Sequence, residues 1–386
     1  MWLTLLFSGT AVVFLSMTLR ALFHLRWAQR LPSINTFAHP IGSPNSRAGA
    51  CSVVMPARDE EARIEISVRC LLAQNPPLSE IIVIDDRSVD RTGELLNRLA
   101  HEDERVKVIR VEVLPPGWLG KCHACHIGAS AVTGEWILFT DADCWLKPDV
   151  VARALLVAEL EETDHIVLTP GIAPQTLGAQ AWHLAVLVSL VKWLAGVNRD
   201  KPMSYLGMGA FNLVKTSAYR KCGGYEALRL TVVDDLKLGL LLRRAGNRTR
   251  GFIGGNDALC QWGTTVRSMI KIMEKNYFAL MNYRTVTALA AGFCGTLLWG
   301  SAIGGFFHGS AAGLAAGAAL LSLIIPAGLC ARRLGWSLAG AALMPFLYPA
   351  LFYAMLNSAF VTLRQGGVRW RETFYALDAL RAGNFR

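Results

Sequence analysis

Ile81-Ile82-Val83-Ile84-Asp85-Asp86 is an unbroken apolar run halted by two carboxylates, and Trp136-Ile137-Leu138-Phe139-Thr140-Asp141-Ala142-Asp143 repeats the plan. A short apolar run bounded by polar residues reads as a buried strand. Working outward, Ser52–Met55 and Val106–Val111 read as further strands, while Glu60–Ala73, Thr92–His101 and Lys121–Val132 have helical spacing. Strands alternating with helices predict an α/β fold with a mainly parallel sheet. In such sheets ligands bind beyond the carboxyl ends of the strands, so the residues that end the apolar runs are the ones to weigh.

Three carboxylate pairs stand at such positions. Asp85-Asp86 and Asp141/Asp143 end strands, and Asp234-Asp235 opens a helix carrying Leu236, Leu240 and Leu241. Positions i and i+2 of an extended segment face the same way. Asp141 and Asp143 can therefore share one hard divalent cation and leave sites for phosphate oxygens. Each pair also has a local reading, since Asp caps turns and an acidic first turn suits the helix dipole.

The chain has 386 residues, 53% hydrophobic and 18% charged. Soluble domains carry about 25% charged residues, so the deficit points to lipid-embedded segments and excludes a disordered chain. Nine scattered cysteines do not make a disulfide framework, and suggest a reducing compartment for the polar part. A net charge of +10 suits an anionic membrane surface or a phosphorylated substrate. Met1 to Leu19 is apolar and is followed by Arg20, His24, Arg26 and Arg30, the order of a retained anchor with its C-terminal side in the cytoplasm.

Thr285–Phe307, Ala311–Cys330 and Trp336–Phe360 are long and uncharged enough to span a bilayer. Basic residues flank the last segment on both sides, and Pro345 and Pro349 sit within it, so it reads either as a kinked or re-entrant element or as a simple span whose tail lies outside against the charge rule. Gly178–Val197, with Trp182 and Trp193, reads as an interfacial helix presenting a lipid, or as a helix packed on the domain. The expected organisation is an anchor at 1–25 and a linker at 26–50, Gly/Ser/Pro-rich from Pro40 to Ala50. A catalytic domain at 51–277, membrane helices at 285–363 and a basic cytoplasmic or interfacial tail at 364–386 follow.

Val53-Val54-Met55-Pro56-Ala57-Arg58-Asp59-Glu60-Glu61, Ile84-Asp85-Asp86-Arg87-Ser88-Val89-Asp90-Arg91-Thr92 and Thr140-Asp141-Ala142-Asp143 together resemble a membrane-bound family 2 glycosyltransferase of GT-A fold. Leu114-Pro115-Pro116-Gly117-Trp118-Leu119-Gly120-Lys121 is similar to the hopene-associated subgroup. The resemblance implies that Pro56, Ala57, Asp59, Asp86, Lys121 and Asp141 bind a nucleoside diphosphate sugar. It implies that Asp141 and Asp143 carry Mg2+ or Mn2+, and that Asp235, beside Asp234, is the general base of a single inverting transfer. Gly209, in Gly207-Met208-Gly209-Ala210-Phe211-Asn212, resembles the acceptor-side loop, with Gln261 and Trp262 nearby in role. Gln261-Trp262-Gly263-Thr264-Thr265-Val266-Arg267 departs from the Q-x-x-R-W of processive members, which argues against a polysaccharide synthase.

The expected partners are a sugar nucleotide, a lipid acceptor and the membrane, with the catalytic domain on the cytoplasmic face of an inner membrane. The acceptor is expected to carry a hydroxyl, as a hopanoid, another terpenoid or a ceramide-like lipid does. The alternatives are transfer to a polyprenyl phosphate and an idle membrane scaffold. Cys122-His123-Ala124-Cys125-His126 matches the haem c attachment pattern, but haem is not expected on a segment assigned to the cytoplasmic side. Neither G-x-G-x-x-G after the first strand nor a P-loop is present, and no aromatic-interleaved basic patch suggests nucleic acid.

Overall fold

The computed structural model describes residues 1–33, 51–172 and 176–385. The Pro40–Ala50 linker expectation lies outside the described residues. The sheet comprises β1 (Cys51–Ala57), β2 (Glu80–Asp86), β3 (Val106–Val111), β4 (Trp136–Phe139), β5 (Cys144–Leu146), β6 (His165–Ile172), β7 (Asn212–Lys215) and β8 (Thr249–Cys260). Their spatial order is β3-β2-β1-β4-β7-β6-β8-β5. β3, β2, β1 and β4 are parallel, as are β6 and β8; β7 and β5 pair antiparallel with their neighbours. The fold is thus the expected α/β arrangement with a mainly parallel sheet.

β2 is buried along its whole length, which is why its apolar run has no alternation. Val53, Met55, Ile81 and Val83 pack on one side with Ile64, Val68, Leu96 and Leu99 of the flanking helices. Val54, Ile82 and Ile84 pack on the other with Cys122, Cys125 and Ala129 of the Gly120–Ala131 helix. Glu80 is also buried, where Ser52, Thr133 and Lys107 donate to its carboxylate. Burial opposes its charge, but those hydrogen bonds prevail and hold the carboxyl at about 2.

Among the described residues four helices are long and apolar enough to cross a membrane: Trp2–Leu25, Leu177–Val197, Thr285–His308 and Ala311–Leu334. Three of them pack side by side. Phe7 and His308 meet at 5.6 Å, Thr10 bonds Ser301 at 3.0 Å, and Thr18 meets Ser322 at 2.7 Å. At the opposite end Arg333 donates to the carbonyls of Leu25 and Ala28. Trp2–Leu25 and Ala311–Leu334 therefore run in one direction and Thr285–His308 in the other.

Leu338–Phe346 and Tyr348–Gln365 form a pair bent by 60°, with Pro345 and Pro349 at the break. The bend lies beside Trp299, whose Nε1 donates to Pro345 O at 2.9 Å. Both ends of the pair return to the sheet domain. Trp336 lies 6.1 Å from His183, and Phe278 N donates to Ser358 Oγ at 2.9 Å. The kinked expectation for this segment thus agrees with the backbone.

The Leu177–Val197 helix is enclosed rather than interfacial along most of its length. Trp182 and Val191 are wholly buried and Leu194 nearly so, while Trp193 is 39% exposed. Its apolar residues face several neighbours at once, so of the two readings the burial agrees with a helix packed on the domain rather than an interfacial one. The residues after Gln365 are folded, as β9 (Gly367–Trp370), β10 (Thr373–Ala376) and a Leu377–Gly383 helix.

Candidate active site

Because β1, β2 and β4 are parallel, their carboxyl ends open onto one edge. Ala57 is level with Asp85, and Thr140 N donates to Val54 O at 3.2 Å. A cavity of about 610 Å3 lies there. Pro56, Ala57, Asp86, Lys121, Asp141, Asp143 and Trp262 line it, so seven of the sequence-predicted residues share one wall.

Lys121 stands in the first turn of the Gly120–Ala131 helix, and its Nζ lies 2.6 Å from Asp141 Oδ1. Burial works against the ammonium, but Asp141, Asp234 and Asp235 outweigh it and raise the Lys121 pKa above the usual lysine range. Asp141 N donates to Gly209 O at 2.9 Å, and Gly209 N donates to Asp235 Oδ2 at 2.7 Å. Gly209 thus joins the strand end to the helix start. A Cβ at 209 would collide with the Asp141 carboxylate, which explains glycine there.

Asp235 Oδ1 accepts from Leu236 N at 2.7 Å, so the carboxylate also caps its own helix. Asp234 is 2% exposed, and its Oδ2 has no hydrogen-bond partner. Burial, with Asp235 and Asp141 adding to it and Lys121 opposing, pushes the Asp234 carboxyl up to about 6. Asp143 also rises to about 6, through burial and then the charges of Asp141 and Glu60. A buried carboxylate facing two others is short of positive charge.

Several carboxylates and Gln261 have partners of their own. Asp85 turns away from the cavity to Arg110, at 2.8 Å. Asp86 is bidentate to its neighbour Arg87, at 2.8 and 3.0 Å. Asp59, at φ 53°, accepts from Val89 N at 2.9 Å and ties the loops after β1 and β2 rather than lining the cavity. Gln261 accepts from Arg63 at 2.7 Å, while its N donates to Asp143 O at 3.1 Å. All nine cysteines are free; Cys122 and Cys125 are buried beneath Lys121, where Cys122 donates to Thr231 O.

Among the described residues no three His, Cys, Asp or Glu side chains form a cation cage. Asp141 and Asp143 supply oxygen donors on one cavity wall, one of them starved of positive charge, and this set fits a hard divalent ion completed by phosphate oxygens.

The sequence reading misses the opposite wall: Lys271, Glu274 and Lys275 of the Val266–Leu280 helix, and Arg369, Trp370, Arg371 and Tyr375 of the β9–β10 hairpin. It places Arg369 and Arg371 only in a basic tail after the membrane helices. No local motif betrays the wall, because it lies far along the chain from the strand ends, and the hairpin follows the whole run of apolar helices.

Residues 52–223 match the family model described as "Glycosyl transferase family 2". A "4,4'-diaponeurosporenoate glycosyltransferase" of Staphylococcus haemolyticus (strain JCSC1435) is 27% identical over 201 residues, 50% of this chain and 51% of its own. The protein of the same name from Staphylococcus aureus (strain USA300) is 24% identical over 236 residues, 60% and 58% of the two chains. The chain spans about half the length of these curated relatives. The structure "Mannosyltransferase PcManGT from Pyrobaculum calidifontis in complex with GDP-Man and Mn2+" superposes with TM-score 0.57 at 17% identity, covering 94% of this chain and 99% of that one. That likeness establishes a GT-A fold.

Proposed function

We propose that the protein transfers one sugar from a nucleoside diphosphate donor to an apolar membrane acceptor, with inversion. The observation that carries this reading is the chain of contacts Lys121–Asp141–Gly209–Asp235 at the carboxyl edge of the parallel strands. It ties a candidate base, through Gly209, to a cation and a candidate cation-binding carboxylate that line one cavity. The names of the staphylococcal relatives support an apolar acceptor. The GDP-Man and Mn2+ bound to the Pyrobaculum mannosyltransferase support a sugar nucleotide and a divalent ion.

In this mechanism Asp235 takes the proton of an acceptor hydroxyl. The oxygen attacks the anomeric carbon from the face opposite the diphosphate. The carbon–phosphate-oxygen bond breaks, and the nucleoside diphosphate leaves with both electrons. Asp141 and Asp143 would hold Mg2+ or Mn2+, which supplies charge neutralisation for the leaving diphosphate. Lys121 adds a fixed positive charge beside Asp141, and Asp234 sets the field around it.

The acceptor is a hydroxyl-bearing lipid of hopanoid, terpenoid or ceramide type, and the domain faces the cytoplasm of an inner membrane. The ends carrying Arg26, Arg284, Arg333 and Arg364 all meet the sheet domain, in keeping with the positive-inside rule. Mass analysis of lipids from cells with and without the gene tests the assignment. A glycolipid missing from the deletion supports it and names sugar and acceptor together. An unchanged glycolipid profile contradicts it, and a missing glycosylated polyprenyl phosphate would reassign the acceptor.

A further inference from the structure

The cavity has a second wall that the strand ends do not supply. The β9–β10 hairpin turns at Arg371, φ 54°, and its tip reaches the loop after β1. Arg371 Nη2 lies 2.7 Å from Glu60 Oε1, and Arg58 lies 3.8 Å from Glu372. Gly120 N donates to Tyr375 OH at 3.3 Å, so the hairpin also touches the helix that carries Lys121. Trp370 covers Lys275, with Nζ 3.4 Å from the ring centroid. The hairpin is anchored rather than loose. Leu377 N donates to Gly366 O at 2.8 Å, Leu380 is fully buried, and Asn384 bonds Asn282 at 3.1 Å.

Charge distinguishes this wall. Arg369, Arg371, Lys271 and Lys275 face the cavity with Glu274 as the wall's carboxylate. Lys271 is paired to Glu274 at 2.7 Å. Among the described residues no carboxylate lies within ion-pair reach of Lys275, whose close partner is an indole ring. Burial and the charge of Lys121 push its ammonium down to about 8, so an anion beside it would be welcome. Glu60 has a second guanidinium, Arg63 at 2.9 Å, and stays neutralised if Arg371 swings away.

We propose that the C-terminal hairpin is the outer half of the donor site, with Arg371 and Lys275 holding the diphosphate of a nucleoside diphosphate against Lys121. Arg371 exchanges Glu60 for phosphate oxygens, and a guanidinium suits that bidentate contact. Donor binding and the fold of the chain's last residues are therefore coupled. This rests on the donor reading above and adds to it the residues that select a diphosphate.

The test is binding to the full-length protein in lipid nanodiscs with Mn2+, using UDP, GDP, ADP, CDP and dTDP and the matching monophosphates. For the diphosphate that binds wild type, Arg371→Ala and Lys275→Ala are each expected to weaken affinity about 10- to 100-fold. The matching monophosphate is expected to change less than about threefold, and Arg371→Lys to recover part of the loss. Unchanged diphosphate affinity in both alanine variants overturns the proposal. So does an equal loss for diphosphate and monophosphate, the mark of a merely structural hairpin. If no diphosphate binds wild type, the donor reading falls and takes the proposal with it.

Discussion

Gly209 donates its backbone N–H to Asp235 Oδ2 at 2.7 Å, while its carbonyl accepts from Asp141 N at 2.9 Å. One residue without a side chain thus joins the backbone of Asp141, the candidate cation ligand, to the carboxylate of Asp235, the candidate base. The distance between candidate base and candidate cation site is set by backbone, which is stiffer than a side-chain contact.

Asp235→Asn keeps shape but removes the base and sets an amide N–H against Gly209 N–H or Leu236 N–H. Turnover is expected to fall about 10²- to 10⁴-fold with donor affinity within about threefold. Steady-state transfer and nucleotide binding measured on the same preparation check this. Weakened donor binding with normal turnover would remove Asp235 from the base role.

Gly209→Ala pushes a methyl group into the Asp141 carboxylate and toward Lys121. Overpacking of this kind costs about 1–3 kcal/mol. The loss is expected in turnover and in divalent-ion response, with a modest drop in thermal midpoint. An alanine variant of wild-type activity would show that the loop can shift freely.

Asp143→Ala removes one of the two adjacent oxygen donors. Activity and its dependence on Mn2+ are expected to vanish together, and EDTA is expected to abolish wild-type turnover. Metal-independent wild-type transfer would remove the cation role from Asp141 and Asp143.

His165 is buried in β6 against Thr249 and Asn212, and burial lowers its pKa to about 4. The unfolded chain binds the proton near 6.5, the native state only near 4. Stability is therefore full above about 6.5 and is lost as pH falls from 6.5 toward 4, by a total on the order of 3 kcal/mol. Thermal midpoints between pH 7 and 5 are expected to decline for wild type and to decline less steeply for His165→Gln. Parallel curves would assign the decline to other groups.

Much of the inner wall is legible in the sequence because strand ends announce themselves. β1, β2 and β4 are short apolar runs with polar terminators, and parallel pairing sends those terminators to one edge. What the pattern does not carry is direction. Asp85 and Asp86 are adjacent, yet one meets Arg110 and the other faces the cavity, because successive strand residues point to opposite faces. Arg369 and Arg371 are equally visible as basic residues, but charge alone assigns them to the membrane flank. Their place on the cavity depends on the bent Leu338–Gln365 pair returning to the sheet, a long-range packing event with no local signature. The two readings of the helix that carries Trp182 stay open in the sequence for a related reason: a helix apolar all round is enclosed by neighbours, and nothing local names them.

The most direct measurement follows the sugar itself. The purified protein in lipid nanodiscs, given Mn2+, a panel of labelled nucleoside diphosphate sugars and a membrane lipid extract, is predicted to place one sugar on a lipid. The anomeric configuration of the product, read by NMR, is predicted to be opposite to the donor's. No lipid-bound label from any donor, or a product of retained configuration, would contradict the account.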